Sequence, residues 1–135
     1  MAKCYYYVVD IDYSIFRAYD IRGRYPSEIN EDVVFRIGST VSQKILPEGK
    51  VIIAMDARNS SRKIYTALKK GFKGRELISV GFSTTPMFYF LVNRLNAAGG
   101  IMVTASHNPP DWNGLKIVGP KADPITGEEV KEMMK

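Results

Sequence analysis

Three short apolar runs, Val51–Met55, Leu77–Val80 and Ile101–Thr104, alternate with longer amphipathic stretches, and that alternation leaves few folds open. A short apolar run bounded by polar residues reads as a buried strand. Between the first two runs, Ile64, Leu68 and Phe72 recur at four-residue steps and predict a helix over Arg62–Phe72. Ser60 and Ser61 offer caps at its start, and Gly71 and Gly74 mark its end. Between the second and third runs, Met87–Leu95 reads as a helix. Thr85 serves as its N-cap, with Pro86 at the first helical position, where the missing N–H costs nothing. Upstream, Asn30 reads as an N-cap, with Glu31 and Asp32 in a first turn whose dipole favours acids. Val33, Val34, Ile37, Val41 and Ile45 follow at helical spacing up to Pro47.

Strands alternating with helices imply an α/β architecture with helices on both sheet faces. Leu115–Val118 is a further strand, and the loop Ala105–Gly114 before it is too short for a helical crossover. This last strand is therefore expected to run antiparallel to its neighbour. The expected fold is a three-layer α/β/α sandwich with a mixed sheet of about four main strands. Tyr5–Val9, aromatic and β-branched, reads as an added strand. Phe16–Pro26 reads mostly as loop, because it carries Gly23 and Pro26.

The chain's 135 residues suit one domain with one real core. Near the end, Thr126–Glu129 has capping-box spacing, and Val130, Met133 and Met134 supply an apolar face. So short a helix is marginal unless it docks on something. The reading is one domain over residues 1–135, cut within the helix that begins near 126; a naturally short closing helix is the alternative. Cys4 is the only cysteine, which excludes an intrachain disulfide framework and a cysteine-based metal site. That usage fits a reducing cytosol, and a cytoplasmic location is expected. No apolar run approaches a bilayer span, so no membrane partner is expected. The net charge of +5 points to anionic partners or to a solvated basic surface. The basic residues are scattered without interleaved aromatics, which argues against nucleic acid.

Chemistry concentrates in the loop after Ile101–Thr104. Ser106 stands there with His107, Asn108, Pro109 and Pro110, at the carboxyl end of a strand, where open α/β sheets place their active residues. The prolines restrict the backbone, so the serine hydroxyl sits on a stiff loop. Asn108 and Asn113 can orient that loop through side-chain bonds to backbone. Lys116, at the start of the next strand, can return beside Ser106. A serine, an imidazole and an ammonium together suit phosphate chemistry, although a Ser-His-Asn turn, a surface His107 or a solvated Lys116 would each look the same in isolation. A serine-hydrolase site is a poor fit. His107 adjoins Ser106 and would point away from it, and no Gly-x-Ser-x-Gly elbow is present.

Two further clusters stand out. In Arg17–Gly23, Arg17 and Arg22 can clamp phosphate oxygens, and Tyr19 can present a hydroxyl to a substrate; arginines on a solvated loop are the alternative. Asp56–Ser61 follows a strand and either caps the next helix or supports the serine loop from beneath.

Together, Phe16–Gly23, Asp56–Ser61, Thr85–Met87 and Gly99–Val118 resemble the α-D-phosphohexomutase superfamily, most closely its phosphomannomutase/phosphoglucomutase branch. The segments occur in the family's order across nearly the whole chain. The resemblance implies an enzyme that interconverts hexose 1-phosphate and hexose 6-phosphate, with a hexose 1,6-bisphosphate as intermediate and activator. It implies that Ser106 carries a phosphoryl group contacted by magnesium, and that His107 and Lys116 assist proton transfer or stabilise charge. Arg22 matches a basic residue near the phosphoserine, while Tyr19 and Asn108 match substrate-site positions. Family members have four domains, and this chain resembles the first. The magnesium-binding Asp-Gly-Asp-Gly-Asp-Arg loop of the second domain is not in the sequence. The expected partners are therefore a phosphorylated hexose and the missing C-terminal domains, and the chain alone is expected to be inactive. Phosphoglucosamine mutase, or a non-catalytic binding module, is the alternative. Trp112 replaces a tyrosine common in the branch.

Overall fold

The computed structural model describes residues 9–135. After a turn of 3-10 helix at Tyr13–Ile15, the chain forms β1 (Ile21–Arg24), α1 (Glu31–Thr40), β2 (Val51–Met55), α2 (Ser61–Gly71) and β3 (Leu77–Phe82). It continues through α3 (Thr85–Arg94), β4 (Gly99–Val103), β5 (Trp112–Val118), β6 (Pro124–Ile125) and α4 (Gly127–Met134). The strands form one sheet in the order β1-β5-β4-β2-β3. β2 is parallel to both β3 and β4, whereas β5 is antiparallel to β4 and to β1. β6 pairs antiparallel with Ile117 and Val118, on the same outer edge of β5 that β1 occupies further along.

The strand alternation splits the core in two. Ile53, Met55, Ile101, Val103, Leu115 and Ile117 face α1, α2 and α4. Ile52, Ala54, Met102 and Val118 face α3 through Phe88 and Val92. All five residues of β2 are buried, because helices cover both its faces. Each fully buried Ile or Phe contributes about 1.5–3 kcal/mol by leaving water. The three-layer arrangement and the antiparallel β5 agree with the sequence reading.

Several boundaries differ. The four main strands expected are present, and two short ones join them: β1, inside the supposed loop Phe16–Pro26, and the two-residue β6. Its arginines and glycine hide the strand signal, yet Ile21 and Gly23 are buried and pair with Leu115 and Asn113. Thr84, not Thr85, caps α3; its side chain accepts from the Met87 amide at 3.3 Å. β5 begins at Trp112, so Lys116 lies in mid-strand. The Ser60 side chain accepts no capping bond from the first turn of α2, and Ser61 is already its first residue. α2 ends at Gly71, in line with the glycines read as marking its end. A Cβ there would lie 2.7 Å from the Phe35 carbonyl oxygen, so the glycine is what lets α1 and α2 pack this closely. In α4 the capping box forms, with Val130 and Met134 buried, whereas Met133 is exposed. The strand expected at Tyr5–Val9 lies outside the described residues except for Val9, which is not in a strand.

Gly114 closes the β1–β5 seam: a Cβ would stand 2.0 Å from the Ile21 carbonyl oxygen. Gly114→Ala is expected to cost about 3 kcal/mol or more and to unpair β1, read by urea unfolding and by amide exchange at Ile21 and Gly23, the β1 residues in the bonded pairs of the ladder.

Candidate active site

The serine loop starts where β4 ends. Ser106 adopts φ 55°, the left-handed region that costs a non-glycine residue about 1–2 kcal/mol. Both its backbone groups are held. Its amide donates to Thr104 Oγ1 at 3.0 Å, and its carbonyl accepts from Arg58 Nη2 at 2.9 Å. Asn108 folds the turn back, donating from Nδ2 to the Ala105 carbonyl at 2.8 Å. The Ser106 hydroxyl makes no hydrogen bond to a described residue.

Arg58 organises the whole loop from beneath. Its Nη1 donates to the carbonyls of Pro109 (2.6 Å) and Trp112 (3.1 Å), and its Nη2 to those of Ser106 and Asn108 (2.8 Å). Its Nε lies 3.3 Å from the Asp56 carboxylate, which also accepts from the Arg58 amide and from the Ser61 hydroxyl. Buried Asn113 reaches across and donates to Ser60 Oγ at 2.8 Å and to Ser61 Oγ at 3.0 Å. Asp56–Ser61 thus acts chiefly as a support for the serine loop, and its serines serve Asn113 and Asp56 rather than the helix end.

The cations lie beside this loop on the β1–β5 pair. Arg22 is opposite Gly114, so its side chain shares the sheet face of Lys116. Between them sits Asp20, only 3% exposed. Arg22 Nε donates to both Asp20 oxygens, at 2.8 and 2.7 Å, and Lys116 Nζ lies 3.8 Å from one of them. Sequence reading passed over Asp20. Once β1 is recognised as a strand, the signal is visible: Asp20 precedes Arg22 by two residues, and extending the register by one sets it opposite Lys116. Tyr19 (80% exposed), Arg22 and Asn108 line one cavity with Arg17 and Trp112. His107 is exposed, with no hydrogen bond to a described residue, and neither it nor Ser106 lines that cavity.

Residues 13–135 match the family model described as phosphoglucomutase/phosphomannomutase, alpha/beta/alpha domain I. The chain belongs to this family. A phosphohexose mutase of Xanthomonas campestris is 47% identical over 84% of this chain and 25% of its own length. A phosphomannomutase of Klebsiella pneumoniae is 42% identical over 84% of this chain and 73% of its own length. The solved structure of a phosphoglucomutase/phosphomannomutase family protein from Burkholderia thailandensis superposes with a TM-score of 0.81 at 33% identity. It covers 92% of this chain and 30% of that one. The chain spans 25% of the length of the Xanthomonas relative, and its match is to the family's domain I. Among the described residues, no helix is long and apolar enough to cross a membrane.

Within the family domain, Arg58 is the joint whose loss should be felt first. Arg58→Ala strands four carbonyls and is expected to cost about 2–4 kcal/mol, with faster amide exchange at Asn108 and Trp112. A second check comes from Tyr25, whose amide bonds the Asp111 carbonyl at the loop's far end. Its phenol donates to Glu31, and this bond, with burial and the carboxylate's charge, pushes its pKa up to about 12. The neutral phenol is the form the fold favours. The stability it contributes should be complete below about pH 10 and lost as pH rises towards 12. Tyr25→Phe should flatten that part of a stability-versus-pH curve.

Proposed function

We propose that this chain is the phosphoserine domain of a phosphomannomutase/phosphoglucomutase, in which Ser106 takes a phosphoryl group from a bisphosphorylated hexose and returns it. The observation that carries this reading is the left-handed Ser106, fixed at both amide and carbonyl while its hydroxyl stays unengaged. Strain held by its surroundings is characteristic of functional positions. Phosphoryl transfer asks chiefly for alignment and for cations facing the transferring oxygens. The Arg58-braced loop gives the first, and Arg22 and Lys116 give the second. The names of the relatives, phosphohexose mutase and phosphomannomutase, support the sugar phosphate as substrate.

In transfer to the enzyme, Ser106 Oγ forms a bond to phosphorus as the phosphorus bond to the sugar oxygen breaks. The hydroxyl proton leaves Oγ, and the sugar oxygen gains one. The Lys116 ammonium beside Asp20 can give a proton to the sugar oxygen, and a neutral His107 or a neutral Lys116 can take the one that leaves Oγ. Among the described residues, no three His, Cys, Asp or Glu side chains cluster as a metal cage. The residues present thus do not form a magnesium site unaided; this chain's own contribution to one would be the phosphoryl oxygens on Ser106. Magnesium, the bisphosphate activator and a cytoplasmic location belong to the proposal for the whole protein.

Incubating the complete gene product with glucose 1,6-bisphosphate should label Ser106, read by peptide mass spectrometry. Ser106→Ala should lose the label and lower turnover of mannose 1-phosphate or glucose 1-phosphate on the order of a thousandfold or more. The 135-residue chain alone should show no turnover above background. Label on a residue other than Ser106, or turnover by the isolated chain, would contradict the reading.

A further inference from the structure

Trp112 is the only tryptophan in the sequence, and two guanidinium groups reach it. The Cζ atoms of Arg17 and Arg24 each lie 6.0 Å from a Trp112 ring centroid, at the outer reach of a cation–π contact. The two contacts have different origins. Arg24 is opposite Trp112 in the β1–β5 register, so strand pairing alone brings it there. Arg17 comes from the loop before β1. Its side chain lines a cavity of about 280 Å³ with Tyr19, Asp20, Arg22, Asn108 and Trp112.

The charge in this cavity is unbalanced. Asp20 is its only carboxylate, and Asp20 is already shared between Arg22 and Lys116. Arg22 is engaged there through Nε alone, which leaves its terminal nitrogens without a partner among the described residues. Arg17 forms no ion pair among the described residues. Asp12 feels its charge only weakly; that carboxyl is lowered mainly by hydrogen bonds from Ser14. Two guanidinium forks therefore open on one small cavity, with a phenol and an amide beside them.

The geometry points to Arg17 and Arg22 as a two-arginine site for a phosphate monoester, with Trp112 as the platform that holds Arg17 ready. The planar forks match the oxygens of a phosphate, and a tetrahedral dianion satisfies both at once. The cation–π contact with Trp112 biases the Arg17 side chain toward the cavity before ligand arrives, so less rotamer freedom is lost on binding. Indole is the best of the aromatic faces for such a contact. The sugar part of the ligand rests on the phosphohexomutase reading; the anion site does not.

Trp112 supplies the readout. Titrating the 135-residue chain with inorganic phosphate, and separately with glucose 6-phosphate, should change its emission saturably, whereas glucose should not. Arg17→Ala should shift the phosphate midpoint by about tenfold, the loss of one charge-assisted contact. Arg17→Lys, which keeps the charge without the fork, should fall between that variant and the unchanged chain. Lys73→Ala, at an exposed lysine outside the cavity, should titrate like the unchanged chain. Titration calorimetry on Trp112→Phe, which lacks the reporter, should show phosphate binding weakened less than in Arg17→Ala. Equal midpoints for Arg17→Ala and the unchanged chain would overturn the inference, as would equal losses in Arg17→Ala and Lys73→Ala. Ser106 does not line this cavity. Failure of Ser106 labelling thus refutes the phosphoserine reading alone, and an unshifted Arg17→Ala refutes this site alone.

Discussion

One guanidinium group sets the conditions for the rest of this domain. The serine loop has two consecutive prolines, which accept hydrogen bonds but donate none, and a left-handed serine that turns its carbonyl inward. Such a loop presents more acceptors than its own amides can satisfy. Arg58, carried in by the turn after β2, answers four of those carbonyls and places its remaining N–H against Asp56. The same device recurs elsewhere in the chain, where Arg75 donates to the carbonyls of Ser42, Leu46, Pro47 and Gly49. There the Nε is buried without a partner. Only at the serine loop does a carboxylate complete the arginine, and a buried unpaired donor is the cost avoided.

The second constraint is the β1–β5 pair. Antiparallel pairing at this edge brings residues from before β1 to the side of residues that follow the serine loop. Sheet pleating then sends Arg22 and Lys116 to one face, while Ile21, Leu115 and Ile117 go to the other and enter the core. Burial of Ile21 and Leu115 fixes the register, because a slip of one residue would exchange the two faces. The core thereby dictates where the cations stand. Asp20, at the end of this ladder, draws both of them to one carboxylate and lowers the charge of the pair from two units to one.

Much of this was legible in the sequence, and the losses have physical causes. The buried strands β2 and β4 announce themselves through continuous apolar runs, and α1 through its cap and periodicity. β1 does not, because an edge strand that delivers arginines to a site has few apolar residues to show. Missing β1 meant missing Asp20, whose role exists only across a strand pair. The serines after Asp56 looked like caps because serine before a helix usually is one. Their actual partner, Asn113, lies more than fifty residues away, and no local pattern encodes that. Ser106, Asn108 and Lys116 stand out as polar residues after a buried strand, but a Ser-His-Asn turn carries little signal of its own, and their roles come from the family resemblance.

The positive charge beside the serine loop is largely spoken for within the fold. All five N–H groups of Arg58 face loop carbonyls or Asp56, so this arginine braces the serine without being available to a phosphoryl group. Arg22 and Lys116 share a carboxylate and offer one net unit of charge. A phosphoryl group on Ser106 carries roughly one and a half to two negative charges near neutral pH. This set of residues therefore leaves such a group under-compensated. That shortfall suits a carrier: a phosphate held too firmly in its ground state gains nothing in the transition state and is slow to leave. On the proposed phosphoserine reading, the remaining charge compensation would have to come from groups other than these three.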